Sequence, residues 1–177
     1  MPATIQHDVV QFVSRTGRPV VLRPCTPEDE PLIADMYRRL SSDTLYLRYC
    51  SSGVTVSPEQ EAVRLCEGDP EDQAVILALS EGEVVGIAEL GRVDDETAEA
   101  AFLVRDDCQG EGIGTALAER LVEVAREMGF SRLQAYMLYE NHGIRRLTAK
   151  LPYPRTWTGG FGELCVTLDI SRAPALR

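Results

Sequence analysis

Between residues 109 and 115 the chain reads Gln109-Gly110-Glu111-Gly112-Ile113-Gly114-Thr115, three glycines within five residues. Glycine lets a backbone approach a ligand closely, and a helix starting here offers amides that lack an intrahelical acceptor. A loop of this kind suits a phosphate or pyrophosphate. The plainer alternative is a flexible strand-to-helix turn, which gives no reason for so much glycine at a helix start. Two nucleotide-site motifs are excluded by residue type. A dinucleotide fingerprint needs glycine where Thr115 stands, and a P-loop needs a Gly-Lys-Ser/Thr that is absent.

Other reactive side chains are sparse. Glu99 stands among Ala98, Ala100 and Ala101 and reads as an exposed strand carboxylate, and Glu89 stands on the preceding apolar run. Cys108 adjoins the glycine loop, but no histidine lies beside it to activate the thiol for a covalent route. The five cysteines are odd in number and share no CxxC spacing, and the histidines are His7 and His142, so reduced thiols and no zinc site are expected. His142 reads as a surface residue.

The elements that must carry these residues follow from periodicity. Short strands are expected at Val9–Val13 and Val20–Leu22, around Thr16-Gly17. Thr26-Pro27-Glu28-Asp29 opens a helix, with Thr26 as cap and Pro27 in the first turn, whose apolar face is Leu32, Ile33, Met36, Tyr37 and Leu40. A second helix over Ser41–Tyr49 would bury Leu45, Tyr46 and Tyr49, and a third starts at Ser57-Pro58. Gln73–Ser80, Glu83–Leu90 and Thr97–Val104 form an antiparallel meander, with Glu81-Gly82 as a tight hairpin turn. The glycine loop then starts a long helix with face Ile113, Leu117, Leu121, Val124 and Met128, stopped by Gly129. A strand at Leu133–Leu138 must run roughly parallel to Thr97–Val104. A helix over Asn141–Leu151 and strands at Arg155–Thr158 and Leu164–Ile170, around Gly159–Gly162, complete the order. The architecture expected is α/β (α+β), a mixed and mostly antiparallel sheet with helices on both faces, in one domain over residues 1–177.

Composition narrows the class further. Over 177 residues, 18 Lys+Arg face 28 Asp+Glu, giving a net charge of −10 and a pI near 4.7, with 44% apolar residues. That balance argues against nucleic acid or an anionic membrane as partner, both of which call for a basic face. The opening MPATIQHDVV lacks the basic-then-apolar pattern of a leader, and the apolar run Ala74–Leu79 falls far short of the ~20 residues of a membrane span. A soluble, cytoplasmic protein is expected.

Gln109-Gly-Glu-Gly112-Ile-Gly114 matches every fixed position of the Gln/Arg-x-x-Gly-x-Gly/Ala signature, and with it the chain resembles the GNAT family of acyl-CoA-dependent N-acetyltransferases. The element order from Val20 to Ile170 agrees. Ser41–Tyr49, Ala98–Val104 and Met137–Asn141 are similar, more narrowly, to bacterial protein-lysine acetyltransferases of the Pat type. The resemblance implies the GNAT fold and acetyl-CoA as cofactor. It implies that amides of Gln109, Gly110, Glu111, Gly112, Ile113, Gly114 and Thr115 hold the pyrophosphate. Main chain of Phe102, Leu103 and Val104 would pair with the pantetheine arm, with a Val104 amide available to the oxyanion. Asn141 matches an asparagine that meets the cofactor arm, although it is equally well placed to cap the last helix. Glu99 falls where Pat-type enzymes have the glutamate base that takes the proton from the amine, and Glu89 is the reserve candidate for that role. The acceptor implied is a cationic amine, with protein lysine favoured over small amines; a non-catalytic acyl-CoA sensor is the rival class. Family members occur as monomers and as homodimers.

Three departures stand out. Many members carry a tyrosine on the last helix to protonate the thiolate, and that position falls on Thr148, a poor acid. Pro152 replaces a customary glycine. Glu111 stands where many relatives carry Arg or Lys, which is tolerable if it points to solvent and if Arg145, Arg146 and Lys150 supply positive charge.

Overall fold

The computed structural model describes residues 9–172. His7, and with it most of the N-terminal stretch read for a leader, lies outside the described residues. Strands β1 (Val10–Val13) and β2 (Pro19–Pro24) precede helices α1 (Glu30–Arg38), α2 (Ser42–Tyr49) and α3 (Pro58–Cys66). The meander is β3 (Gln73–Ser80), β4 (Glu83–Arg92) and β5 (Thr97–Val104). Helix α4 (Ile113–Glu127) crosses to β6 (Arg132–Leu138), and α5 (His142–Lys150) leads into the hairpin β7 (Arg155–Gly160) and β8 (Glu163–Asp169). Across the sheet the order is β1-β2-β3-β4-β5-β6-β8-β7. Among the described residues only β5 and β6 are parallel neighbours, joined through α4 as a crossover requires.

Strand alternation divides two cores between the faces. On β3, Ile76 and Ala78 face the cluster under α4 and α5, while Val75 and Leu77 face that under α1 and α3. The period-2 rule thus places helices on both sides of one sheet. Gly86 brings α4 close, since a Cβ there would lie 2.9 Å from Leu117 Cδ1. The two-residue turns of the β3–β4 and β7–β8 hairpins have positive φ at both residues, Glu81 at 52° with Gly82 at 80°, and Phe161 at 54° with Gly162 at 88°. That geometry matches the right-handed twist of the flanking strands. The second turn is therefore Phe161-Gly162, and β7 runs on through Gly159 and Gly160.

Helix starts follow their caps. Ser41 and Ser57 hydroxyls accept from the Thr44 and Gln60 amides at 3.1 and 3.4 Å. At Thr26 the chain first makes a short 3-10 turn, Pro27–Asp29, before α1. There the buried Asp29 carboxylate accepts from the Thr26 amide at 2.8 Å and from the Arg23 fork at 2.6 and 2.7 Å.

Helix α2 departs from expectation: none of its residues is fully buried. Leu45 and Tyr49 pack partly against the second core, but Tyr46 turns instead to a hydrogen bond with Glu140. The cause is positional, because one side of α2 faces an open cleft. Its first turn is held by Asp106, which accepts from the Ser41 amide and hydroxyl and from the Thr44 hydroxyl at 3.0, 2.6 and 2.8 Å. All five cysteines are free. Among the described residues no helix is long and apolar enough to cross a membrane, and no group of His, Cys, Asp or Glu is arranged to hold a metal ion.

Candidate active site

The parallel ladder between β5 and β6 is short. Thr97, Ala98 and Glu99 pair with Arg132, Leu133 and Gln134, and beyond Glu99 the strands part. The Arg105 amide donates to the Val85 carbonyl on β4 at 3.0 Å. By alternation, the amides of Val104 and Phe102, beyond the last β6 pairing, face the other way, into the gap. The gap opens into a cleft of about 910 Å³, of the size that takes a small organic ligand. Its walls come from β5, the glycine loop, α2 and α5.

At the head of the cleft Gly110 and Gly112 have φ of +77° and +94°, a region that favours glycine. Gly112 is the residue before α4, with no side-chain cap. The Ala116 amide donates to the Gly112 carbonyl at 3.1 Å, so the amides of Ile113, Gly114 and Thr115 precede the first intrahelical bond and have no intrahelical acceptor. Gly114 admits α5, because a Cβ there would stand 3.2 Å from Leu147 Cδ1. Gln109 has a structural task that the motif alone does not reveal. Its Nε2 donates to the Val104 carbonyl at 3.1 Å and to the Thr44 hydroxyl at 3.2 Å, tying the loop to β5 and α2.

Gln109, Gly110, Gly112, Gly114 and Thr115 line the cleft, as do Phe102, Leu103, Val104 and Asn141. Asn141 is buried, and its carboxamide oxygen accepts from the Ile144 amide at 3.2 Å, so it caps α5 while standing in the cleft wall. Two residues of the loop do not line it. Ile113 is buried in the core, leaving only its amide for a ligand. Glu111, expected to point to solvent, is also buried. Its carboxylate accepts from Ser14 Oγ at 2.9 Å and from Arg18 Nε at 3.2 Å, and Thr16 contributes a further hydrogen bond.

Burial pushes the Glu111 carboxyl upward, but the Thr16, Ser14 and Arg18 donors outweigh it and hold it below the ordinary value. A depressed folded-state value gives stability that is present above the ordinary carboxylate range and is lost as pH falls through the lowered value. Glu111→Gln is accordingly expected to lower the melting temperature by a few degrees at pH 7. The gap between variant and wild type should close as thermal melts are repeated at progressively more acidic pH. A gap that persists unchanged into acid would assign the loss to packing.

Glu99 is exposed, lines the cleft, and is the last residue of β5 paired to β6, so it stands where the strands diverge. Tyr136 on β6 lines the same region. The neighbouring Cys165 thiol, burial and the Glu99 charge hold its phenol above the ordinary value, so it is protonated at neutral pH. Glu89 is differently placed. It pairs with Arg48 Nη2 at 3.0 Å and with both Arg64 terminal nitrogens, and it does not line the cleft. Burial raises its carboxyl, but the Arg64 and Arg48 charges prevail and hold it low, which makes it a weak proton acceptor.

The remaining expectations divide. Thr148 is buried, donates to the Arg145 carbonyl at 3.1 Å, and takes no part in the cleft wall. Arg145 stacks on Tyr139 and bonds its carbonyl, whereas Arg146 and Lys150 do line the cleft. Cys108 is buried beside Asp107, and both burial and that carboxylate push its thiol up, against a nucleophilic role. His142 is exposed at the cleft edge. Sequence reasoning missed Arg15, Tyr136, Glu140 and Glu163 as cleft residues. Glu140 adjoins Asn141 in the Met137–Asn141 segment and could have been read from it, whereas no motif marks Arg15, Tyr136 or Glu163, which distant elements bring there.

A splayed parallel pair beside a glycine-rich helix start makes a cleft whose free amides suit an extended, phosphate-bearing ligand. The sequence profile of the Acetyltransferase (GNAT) family matches residues 35–151, and the chain belongs to that family. An acetyltransferase of Pseudomonas aeruginosa is 30% identical over 142 residues, covering 77% of this chain and 76% of that protein. The acetyltransferase Pat of Mycolicibacterium smegmatis is 33% identical over 142 residues, and the match spans 77% of this chain but 42% of that longer protein. The GNAT domain of S. lividans PAT superposes with a TM-score of 0.83 at 26% identity, over 96% of this chain and 99% of that domain. A Salmonella typhimurium structure with its cofactor acetyl-CoA shares the fold, with a TM-score of 0.70 at 23% identity over 88% and 98% of the two chains. The protein is thus an acetyltransferase with acetyl-CoA as cosubstrate, and the cleft fits that molecule. Free strand amides suit its amide-bearing arm, and the amides at the start of α4 suit its pyrophosphate.

Proposed function

We propose that this acetyltransferase acts on a lysine side chain of a protein, with Glu99 as general base. The carrying observation is the position of Glu99 at the fork between β5 and β6, in the cleft and without a hydrogen bond or ion pair among the described residues. An amine must lose its proton before it can acylate, and a carboxylate free of competing cations can take that proton directly or through water. Glu89, neutralised by two arginines, lacks that freedom. Two further carboxylates, Glu140 and Glu163, line the cleft and favour a cationic acceptor. The 33% identity to a Pat acetyltransferase supports lysine as that cation.

Acetyl-CoA supplies the acetyl group as a thioester. The amides of Phe102 and Val104 are free to pair with its pantetheine arm in the manner of an added strand. The Val104 amide is also a donor for negative charge developing on an acyl oxygen, worth most where water is excluded. Asn141, fixed by its capping bond, presents its remaining polar capacity to the same wall, and the amides of Gly110 to Thr115 take the pyrophosphate, the Gln109 amide being engaged by the Asp106 carbonyl at 3.4 Å.

The test is release of free thiol from acetyl-CoA with a panel of lysine-containing proteins, polyamines and amino acids. Turnover on protein lysine, located by mass spectrometry, is the expected result. Turnover confined to small amines would replace the acceptor assignment. Cofactor binding with no release on any acceptor would instead make the chain a sensor.

A further inference from the structure

The loop at the head of the cleft carries a carboxylate, Glu111, close to where a doubly charged pyrophosphate would sit, and that carboxylate is bound on one side by the turn joining β1 to β2. Ser14, Thr16 and Arg18 all donate to it, and the Arg15 amide donates to the Glu111 carbonyl at 3.0 Å. The turn itself is closed by the Ser14 amide on the Arg18 carbonyl at 2.8 Å and the Gly17 amide on the Ser14 carbonyl at 3.0 Å. Four contacts therefore fix this turn to the glycine loop, and Arg15 lies at the junction. Its side chain lines the cleft, with Nε 3.8 Å from where a Cβ on Gly112 would stand. Among the described residues the Arg15 guanidinium makes no ion pair or hydrogen bond. It is an unpartnered cation placed beside unpartnered amides.

We propose that Arg15 is a pyrophosphate-binding residue, and that Glu111 is the positioning residue that holds it there. The inference rests on the acetyl-CoA reading of the cleft. It adds a ligand from residues outside the 35–151 match to the family profile. It also accounts for the acidic loop. The positive charge missing at position 111 is delivered from position 15, and the carboxylate at 111 is spent in securing the turn that delivers it. A guanidinium suits this task, because its planar fork can bond two phosphate oxygens at once.

Calorimetric titration of the whole chain with CoA, 3′-dephospho-CoA and pantetheine separates the alternatives. Arg15→Ala is expected to weaken CoA and 3′-dephospho-CoA alike, by about tenfold or more for a charged hydrogen bond, and to leave pantetheine binding unchanged. Arg15→Lys should recover part of the loss. Glu111→Gln should weaken CoA in the presence of Arg15 but cause no further loss in an Arg15→Ala background. A loss seen with CoA but not with 3′-dephospho-CoA would move Arg15 to the 3′-phosphate and overturn the assignment. An equal loss on pantetheine, or none on any ligand, would overturn it as well. Additive losses at the two positions would remove the positioning role of Glu111. If the wild-type chain itself fails to bind CoA, the acetyl-CoA reading falls, and that outcome is distinct from every one above.

Discussion

Glu99→Gln is expected to lower kcat about a hundredfold at pH 7.5, in line with the usual 10²–10⁴ contribution of a positioned base, while the KM for acetyl-CoA stays as it was. Glutamine keeps the size and the hydrogen-bonding reach of the side chain but cannot accept the amine proton. The substitution should also be structurally quiet, because Glu99 is exposed and holds no partner that would be left unpaired. The pH profile carries the sharper distinction. A lysine amine is deprotonated in solution only near pH 10.4, so a variant without a base depends on the free amine alone. Its kcat/KM should climb tenfold per pH unit up to the amine pKa, whereas the wild type should level off earlier. A variant with unchanged kcat and the wild-type profile would remove Glu99 from the chemistry. Tyr136, protonated and beside it in the cleft, would then be the next residue to substitute.

The contrast between Glu99 and Glu89 shows what a sequence can carry. Both are lone carboxylates in apolar strand segments, and periodicity places both on strands. Their difference lies in partners far along the chain, since Arg48 and Arg64 reach Glu89 from α2 and α3, whereas no cation among the described residues pairs with Glu99. The glycine loop was legible because its requirement is local: Gly110 and Gly112 need positive φ, and only the adjacent backbone sets that demand. The parallel β5–β6 pair was legible because a strand–helix–strand unit forces it, and the structure adds the place where pairing ends, at Glu99. The burial of Glu111 leaves no trace in the sequence because its Ser14 partner lies 97 residues away on a turn with no motif of its own. Thr148 falls on the expected helix but outside the cleft wall, where its hydroxyl is satisfied on the Arg145 carbonyl of the preceding turn, as a helical threonine readily does. Local conformational demands leave a trace in sequence, and pairings between distant elements leave almost none.

Gly112→Ala is expected to raise the Kd for CoA at least tenfold while the protein remains folded. At φ +94° an alanine is strained by about 1–2 kcal/mol, and the loop relieves the strain by rotating away from this conformation. Rotation at Gly112 re-aims the amides on either side of it, including those of Ile113 to Thr115 on which the pyrophosphate reading depends. The new methyl would also meet Arg15, whose Nε stands 3.8 Å from its position. Gly129→Ala is the matched control. Gly129 ends the same helix at φ +91° with nothing within 4 Å of an added Cβ, and it lies outside the cleft wall. The two variants should lose similar stability in denaturant titrations, because the strained dihedral is nearly the same. Only Gly112→Ala should lose cofactor affinity. If both bind CoA as the wild type does, the glycine loop is a turn and not a phosphate cradle. If both lose affinity equally, the loss reports global stability rather than the aim of the amides. Equal strain with unequal binding is the result that the geometry of the α4 N-terminus requires.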